Sequence, residues 1–438
     1  MAIAPLVPLK QKPALSGYQP GDYLVLFGEL FQRGYANGLV EEAEKLGLKI
    51  IRSTVGRREK DGTLRALNQE ELSLQPTPLI NVPLEAGFDL QPDSQGMTPV
   101  EALKDVKLSE WKNLKLNFEH MNESRKKGGE DFRSRVRQHM TELAKLIEPG
   151  RNVVFAHLMA GGVPRAKIVM PLMNRAFKGQ GERHLSSKEF WESDIGRLCS
   201  MNFDEVTAET FKDLVELSSD LRNKIEKSGG RVSYVAYGYH GTEVLVKDHY
   251  QWTTYSPYLQ GWAKKKLEDY SRQFHQQGLH TCVYNCPEIL TNSSSIFQGV
   301  EVFLYNLIAA LKKEAPQSPR TKQVNDHCQG LLKDEVKLSD LTDDLLKYFA
   351  VPSTKEHTIF EKWPQYSSAE QMELMLAQSE KMASWHKDEK NLMTTELSEV
   401  VFEGCGYAMF HDSWVTAEPV RWLGHDLVAR CLPTNPKR

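Results

Sequence analysis

Two tyrosines and two lysines, closely spaced in one segment, are the residues of this sequence best suited to proton transfer. Tyr255 and Tyr258 precede Lys264 and Lys265. A tyrosine is a poor acid at neutral pH, but a nearby ammonium group stabilises the phenolate and brings the tyrosine pKa closer to the working range. The segment therefore predicts a tyrosine that donates a proton to a substrate oxygen. The lysine would supply positive charge and could also hold a ribose.

Two pairings within this segment are open. Successive residues of a helix are turned by about 100°, so residues nine apart point in opposite directions on one helix. Tyr255 can therefore meet Lys264 only if it precedes the helix, which Pro257 in the first turn allows. Tyr258 and Lys265 are seven positions apart and share one face. Helix geometry leaves both pairings open, and the family resemblance given below makes the first the favoured one; a third interpretation is that the tyrosines only pack.

A glycine-containing segment follows the first predicted strand and precedes a helix. Its glycines are Gly28, Gly34 and Gly38, and Tyr35 lies among them. Glycines let the backbone approach a pyrophosphate, and a helix N-terminus offers it free N–H groups and positive potential. The spacing is longer than the compact G-x-G-x-x-G pattern of dinucleotide sites. The segment predicts a nucleotide site, although a glycine turn without any ligand also explains it.

The end of the second predicted strand carries arginines where an NAD site usually has an acid. The residues there are Thr54, Arg57 and Arg58. A guanidinium group suits a 2′-phosphate through its charge and its paired donors, so we predict NADPH as the cofactor and leave NADH open. The alternative is that both arginines are ordinary surface charges. Ala160 and Gly161, after the fourth predicted strand, are also predicted to contact the cofactor.

The elements that must position these residues alternate between strands and helices. Apolar runs predict strands at 22–28, 48–54, 79–84, 151–158, 231–237 and 280–285. Helical spacing covers 39–46, 100–148, 207–227, 257–276 and 296–313. This alternation predicts an α/β fold with a Rossmann-like doubly wound parallel sheet. We divide the chain into an N-terminal arm (1–20), a Rossmann-type NADP-binding domain (21–315) and a mainly helical C-terminal extension (316–438).

The order of these features resembles the short-chain dehydrogenase/reductase superfamily, and within it the large trans-2-enoyl-ACP/CoA reductases. Those enzymes separate their active-site tyrosine and lysine by eight residues, as Tyr255 and Lys264 are separated here. Their lysine lies in a similar Ala-Lys-Lys-x-Leu-acid string. The segment Thr291-Asn-Ser-Ser-Ser-Ile296 is similar to their Thr-Gln-Ala-Ser-Ser segment. Tyr237, at the end of the fifth predicted strand, resembles their second active-site tyrosine.

This resemblance implies further contacts and an activity. It implies that Ile289 and Thr291, after the sixth strand, contact the nicotinamide amide. It also implies NADPH-dependent reduction of the C=C bond of an enoyl thioester, with tyrosine and lysine stabilising and protonating the enolate. Fatty acid metabolism would be the setting, with acyl carrier protein or coenzyme A as the carrier. The alternatives are a carbonyl reductase of the same superfamily and a non-catalytic NADP-binding scaffold or sensor.

Composition excludes several other classes of protein. The 55 Lys and Arg residues nearly balance 58 Asp and Glu residues, so the net charge of −3 does not fit a basic nucleic-acid binder. No apolar run is long enough to span a membrane, and the proline-rich first twenty residues do not read as a secretory signal. Six scattered cysteines predict reduced thiols in the cytoplasm and no zinc site. The expected partner is the acyl thioester, and an oligomer stays open.

Overall fold

A seven-stranded parallel sheet is the central element of the protein. This computed structural model describes residues 6–177, 187–239, 241–246, 248–253, 259–291, 299–357 and 369–433. The strands are β1 (Tyr23–Phe27), β2 (Lys49–Thr54), β3 (Arg57–Arg58), β4 (Leu64–Arg65), β5 (Leu79–Pro83), β6 (Val153–His157), β7 (Val232–Gly238), β8 (Thr242–Val246), β9 (His249–Thr253), β10 (His280–Asn285) and β11 (Val420–Trp422). The pairs β3–β4 and β8–β9 form antiparallel hairpins, and the other seven strands form the sheet.

The strand order identifies the type of sheet. It is β11-β10-β7-β6-β1-β2-β5, and neighbouring strands are parallel throughout. Numbered by position in the chain, the first six sheet strands have the order 3-2-1-4-5-6, which is that of doubly wound dinucleotide-binding folds. The order reverses between β1 and β6, which pair in register from Tyr23 with Val153 to Phe27 with His157. The predicted fold class is confirmed.

Helices cover both faces of the sheet. Those of the described residues are α1 (Ala36–Lys45), α2 (Gln69–Ser73), α3 (Pro99–Ala102), α4 (Phe118–Leu143), α5 (Val169–Phe177), α6 (Ser187–Trp191), α7 (Asp194–Phe203), α8 (Thr210–Leu217), α9 (Ser219–Lys227), α10 (Leu259–Gln276), α11 (Val300–Leu304), α12 (Leu307–Glu314), α13 (Pro319–Leu331), α14 (Leu338–Ala350), α15 (Pro352–His357), α16 (Ala369–Ser384), α17 (Thr394–Asp412) and α18 (His425–Cys431). A 3₁₀ turn covers Trp111–Asn113, and a π-helical turn at Asp204–Glu209 joins α7 to α8.

Two apolar layers hold these helices on the sheet. Along β1, Tyr23, Val25 and Phe27 pack into one layer, whereas Leu24 and Leu26 pack into the other. The first layer takes side chains from α4, α8, α9 and α10, and the second takes them from α1, α17 and α18. All five residues of β1 are buried, and this explains why the strand reads in sequence as a continuous apolar run.

The segment expected as a C-terminal extension also completes the sheet. It is mainly helical, from α13 to α18, but it adds β11 beside β10. Its helix α17 crosses α1 so closely that a Cβ atom built on Gly38 would lie 1.7 Å from the carbonyl oxygen of Phe402. From the N-terminal arm, Pro8 forms a parallel bridge with Trp422. The predicted boundary between residues 315 and 316 stays a prediction, although segments on either side of it share one sheet.

Several local features differ from the sequence-based expectation. The helix expected at 296–313 is divided into α11 and α12, and the β8–β9 hairpin accounts for the long connection between β7 and α10.

All six cysteines are buried and none forms a disulfide. Among the residues that the structure describes, no helix is long and apolar enough to cross a membrane.

Candidate active site

A cavity of about 240 Å³ lies at the carboxyl ends of β1, β2 and β6. Doubly wound sheets bind ligands in the crevice outside the strand ends where the strand order reverses, and β1 and β6 are the strands at that point. The cavity lining includes Glu29, Phe31, Val55, Met159 and Ala160. The sheet therefore offers a binding site at the position where this fold holds a nucleotide.

The predicted cofactor glycines differ in what they do. Gly28 ends the first strand segment with φ +118°, and a Cβ atom there would lie 3.1 Å from the side chains of both Leu158 and Met159. Gly28 thus lets the chain turn against the residues that follow β6. Gly34 has ordinary φ and open space around it, with the nearest atom 3.7 Å from a built Cβ. Gly38 does not line the cavity; it lies at the crossing of α1 with α17.

The connection between Gly28 and α1 is held by one asparagine. Its Nδ2 donates to the carbonyl oxygens of Phe31, Gln32 and Gly34 at 3.0, 3.2 and 2.8 Å, and the residue is Asn37 in the first turn of α1. After β6, Gly161 has φ +109° and its carbonyl oxygen accepts from Thr207 Oγ1 at 3.2 Å. The bonds from Asn37 therefore give the connection between Gly28 and α1 a defined conformation, although its glycines are spaced more widely than in the compact G-x-G-x-x-G pattern.

A carboxylate from the first loop reaches the end of β2. Glu29 Oε2 accepts from Thr54 Oγ1 at 2.9 Å and from the Val55 N–H at 3.1 Å. Arg57 donates to both carboxylate oxygens of Glu29, at 3.1 and 3.2 Å. Arg58 donates instead to Glu85 Oε1 at 2.7 Å. Both arginines predicted to bind a 2′-phosphate thus have carboxylate partners within the protein, and their role toward a cofactor stays a prediction.

Lys264 is buried at the end of β7. Its Nζ donates to the backbone carbonyl of Tyr237 at 2.5 Å, and only 6% of the residue is exposed. Burial lowers the pKa of Lys264 to about 8, against a smaller opposing effect of Cys286. The positive charge of Lys264 also helps to lower the pKa of His157, the last residue of β6, for which burial is the larger cause. The ammonium therefore lies close to the ends of two central strands.

The three consecutive lysines of α10 have different surroundings. Lys265 forms an ion pair with Asp269 at 3.2 Å, one turn later in the same helix. Lys266 pairs with Asp204 at 3.2 Å and with Glu209 at 2.6 Å. Among the described residues, Lys264 has no carboxylate within ion-pair distance. Tyr255 and Tyr258 lie outside the described residues, so both proposed tyrosine–lysine pairings stay predictions.

Tyr237 forms an aromatic pair with Tyr35 beside this lysine. The ring centroids are 5.4 Å apart with an interplanar angle of 18°. Tyr35 donates its hydroxyl to the carbonyl oxygen of Pro287 at 2.5 Å, so it connects the start of α1 with the end of β10. The hydroxyl of Tyr237 is buried and has no hydrogen-bond partner among the described residues. Burial raises the pKa of Tyr237 well above its usual value, which keeps the phenol protonated.

The remaining predicted residues follow β10. Ile289 is buried, Thr291 is half-buried, and between them the N–H of Leu290 donates to Ser398 Oγ of α17 at 2.8 Å. They come just after Pro287, which accepts the bond from Tyr35. The structure thus bonds Lys264 to the backbone of Tyr237 and stacks Tyr35 on the Tyr237 ring. It gives no corresponding contact between these residues and Gly34 or Gly38.

Sequence reasoning missed Glu29 as a candidate site residue. It directly follows Gly28 and is the first carboxylate after β1. Its position at the end of β2 depends on the path of the intervening loop. No signal in the sequence indicated this position, because the lack of an acid directly after β2 does not show which other element would supply one.

Comparison with known proteins shows the family. The family model of the enoyl-acyl carrier protein reductase FabMG matches residues 5–432. A solved apo structure of FabMG, described as a novel type of enoyl-acyl carrier protein reductase, is 44% identical, covers 98% of both chains and superposes with a TM-score of 0.93. An NADH-bound FabMG structure is 38% identical, covers 98% of this chain and 99% of its own, and has a TM-score of 0.78. A search of curated proteins found no match. The chain therefore belongs to the FabMG family of enoyl-acyl carrier protein reductases and is an oxidoreductase.

Proposed function

We propose that this enzyme reduces the C=C bond of an enoyl thioester on acyl carrier protein, with a nicotinamide dinucleotide as the hydride donor. The observation that carries the proposal is the buried Lys264 ammonium, which donates to the backbone carbonyl of Tyr237 at the same edge of the sheet as the cavity between β1 and β6. Family membership supports the reaction class. Placement in the short-chain dehydrogenase/reductase superfamily stays a prediction.

The residues at the sheet edge fit a dinucleotide. Gly28 gives close backbone approach at the switch point, and Glu29 provides a carboxylate at the end of β2, where ribose hydroxyls are bound in this type of fold. The cavity covers the ends of β1, β2 and β6, and Lys264 and Tyr237 lie farther along the sheet, at the end of β7. When bound there, the reduced nicotinamide supplies the hydride.

Lys264 would stabilise the negative charge that develops on the thioester oxygen. A buried ammonium interacts more strongly with that charge than a solvated one, because little water screens it. Its Nζ already donates to one carbonyl oxygen, that of Tyr237, and an ammonium has three donors. Its other two donors have no partner among the described residues and could serve a cofactor ribose hydroxyl and the substrate side of the site.

A phenol is proposed to deliver the proton. Tyr237 keeps its proton because burial raises its pKa, and its hydroxyl can donate to a substrate oxygen without first leaving a partner among the described residues. Tyr255 is the proton donor implied by the tyrosine–lysine spacing, and Tyr258 is the second candidate. We propose Tyr255 as donor and Tyr237 as a hydrogen-bonding group for the thioester oxygen.

The preferred cofactor is proposed to be NADH. The sequence led us to predict NADPH from Arg57 and Arg58, and that prediction has no support in the arrangement of the two side chains. Arg57 instead donates to both carboxylate oxygens of Glu29, and Arg58 donates to Glu85. A FabMG structure with bound NADH also favours NADH over NADPH. The six unpaired cysteines and an acyl carrier protein substrate fit a cytoplasmic location, which is likewise a proposal.

The proposed function is tested by cofactor oxidation with matched substrates. Purified full-length protein is incubated with NADH or NADPH and crotonyl thioesters of acyl carrier protein and coenzyme A. The 3-ketoacyl thioesters are the matched controls. We expect oxidation with the enoyl thioesters and none with the ketones. Reaction with the ketones alone would identify a carbonyl reductase. Calorimetric titration that detects binding of neither cofactor would refute both the enoyl reductase and the carbonyl reductase.

A further inference from the structure

The end of β2 lacks the acid that selects NAD in doubly wound folds. Such sites place an Asp or Glu after the second strand, where it accepts hydrogen bonds from the adenosine ribose. Here β2 ends in Ser53-Thr54 and continues as Val55-Gly56-Arg57-Arg58. The next acid in the chain, Glu59, is exposed and forms an ion pair with Arg65. A ribose-binding carboxylate must therefore come from another element.

Glu29 provides a carboxylate at that place. Its Oε2 accepts from the side chain of Thr54, from the backbone of Val55 and from Arg57, and so is fixed at the tip of β2 by three donors. Its Oε1 accepts only from Arg57 among the described residues, at 3.2 Å. A carboxylate has about four acceptor positions, so Oε1 retains capacity for a further donor. Glu29 also lines the cavity.

The charged residues that line the cavity also favour a ribose hydroxyl over a 2′-phosphate. Of the residues that the structure describes, three carboxylates line it, those of Glu29, Glu85 and Asp89, and one guanidinium, that of Arg165. Arg165 is itself paired with Glu85 at 2.9 Å and with Asp89 at 3.2 Å. Arg57 and Arg58 likewise pair with Glu29 and Glu85, so a 2′-phosphate would have to compete with these carboxylates for the guanidinium groups. A ribose hydroxyl would instead meet acceptors.

We infer that Glu29, which lies in the loop after β1, selects NADH by binding the adenosine ribose and that it excludes the 2′-phosphate of NADPH. The inference deepens the proposed function and rests on it for the cofactor class. In this arrangement Arg57 positions the Glu29 carboxylate and does not bind phosphate. Selection would thus use an acid far from β2 in sequence but adjacent to its end in space.

The test is calorimetric titration of the full-length protein with NADH and with NADPH. Glu29→Gln removes the charge with little change in shape, and Glu59→Gln is the matched control because it changes the nearest acid after β2. We expect the wild type to bind NADH more tightly. In Glu29→Gln the ratio of NADH to NADPH affinity should fall about ten- to hundredfold, the range for hydrogen bonds to a charged group. Glu59→Gln should leave that ratio unchanged.

Two results would overturn the inference. One is equal affinity of the wild-type protein for NADPH and NADH, a result that does not depend on the folding of any variant. The other is a folded Glu29→Gln protein, with an unchanged melting temperature, whose affinity ratio equals that of the wild type. Binding is measured without turnover. Protein that binds NADH selectively through Glu29 but reduces no enoyl thioester would therefore refute the proposed reaction and support this inference.

Discussion

Replacement of Lys264 should lower activity without lowering stability. Lys264 is buried, its Nζ has one hydrogen bond at 2.5 Å, and no carboxylate among the described residues pairs with it. Its pKa is lowered from 10.5 to about 8, chiefly by burial. At 1.36 kcal/mol per pKa unit, the folded protein bears a cost of roughly 3 kcal/mol for keeping this group charged at neutral pH.

Lys264→Met removes that cost and keeps the length of the side chain. It also loses the hydrogen bond to the carbonyl of Tyr237, which contributes about 1–3 kcal/mol when the donor is charged. We therefore expect the free energy of unfolding at pH 7 to stay equal or to rise by roughly 1–2 kcal/mol. The value of kcat/KM should fall about 10²- to 10³-fold, as it does when an electrostatic stabiliser of a developing oxyanion is removed.

The pH dependence provides a second signature of Lys264. A lowered pKa means that the unfolded chain binds more protons than the folded one between pH 8 and 10.5, so the cost of the buried charge is full below pH 8. It decreases as the pH rises through that window. Stability therefore rises through that window, whereas activity should fall, because deprotonation above about pH 8 removes the charge. The high-pH decline of kcat/KM should be absent in Lys264→Met.

Urea denaturation at pH 7 and steady-state kinetics across the pH range measure both effects. Lys266→Met is the matched control, because this neighbouring lysine pairs with Asp204 and Glu209. Its replacement should retain activity and lower stability. A Lys264→Met protein that loses stability yet keeps wild-type kcat/KM would refute the role assigned to the buried ammonium.

Three further predictions concern other residues of the fold and site. Gly38→Ala should lower the free energy of unfolding by about 3 kcal/mol or more, since its Cβ would lie 1.7 Å from the Phe402 carbonyl oxygen. The control is Gly34→Ala, which should be tolerated in the same denaturation experiment because the atom nearest to its Cβ would be 3.7 Å away. His139 is buried and its pKa is lowered to about 4 by burial. The unfolded chain therefore binds more protons between pH 6.5 and 4, and this group should lower the stability by about 3 kcal/mol as the pH drops through that window. The variant His139→Gln should lack this contribution to the pH dependence of stability. Tyr237→Phe should lower kcat by about ten- to hundredfold without loss of stability, because the hydroxyl has no partner among the described residues; unchanged kcat would contradict its role.

The sequence was most informative about the sheet. Its buried strands are continuous apolar runs bounded by polar turns, and the predicted strand at 280–285 coincides with β10. The short strand β11 was missed because three residues are too few to show a period, and its pairing partner lies more than a hundred residues earlier. The role of Gly38 was also missed, since a close helix crossing depends on Gly406 of a distant helix.

The site was only partly predictable for a similar reason. Lys264 and Tyr237 could be predicted because each lies at a strand end or in a helix next to one, and parallel strands bring such ends together. The surroundings of Arg57 and Arg58 could not be predicted, because their partners Glu29 and Glu85 come from other loops. An arginine reads alike in sequence whether it is ion-paired or available for phosphate.

The most direct test of the central claim follows the hydride itself. Purified protein is supplied with crotonyl-acyl carrier protein and NADH that carries deuterium at either face of the nicotinamide C4, and the acyl product is examined by mass spectrometry and NMR. We expect one of the two labelled cofactors to place a single deuterium on the β-carbon of a butyryl product, and Lys264→Met to slow its appearance. Oxidation of NADH with no deuterium in the acyl chain, or a deuterium at the carbonyl carbon of a reduced thioester, would contradict enoyl reduction at this site.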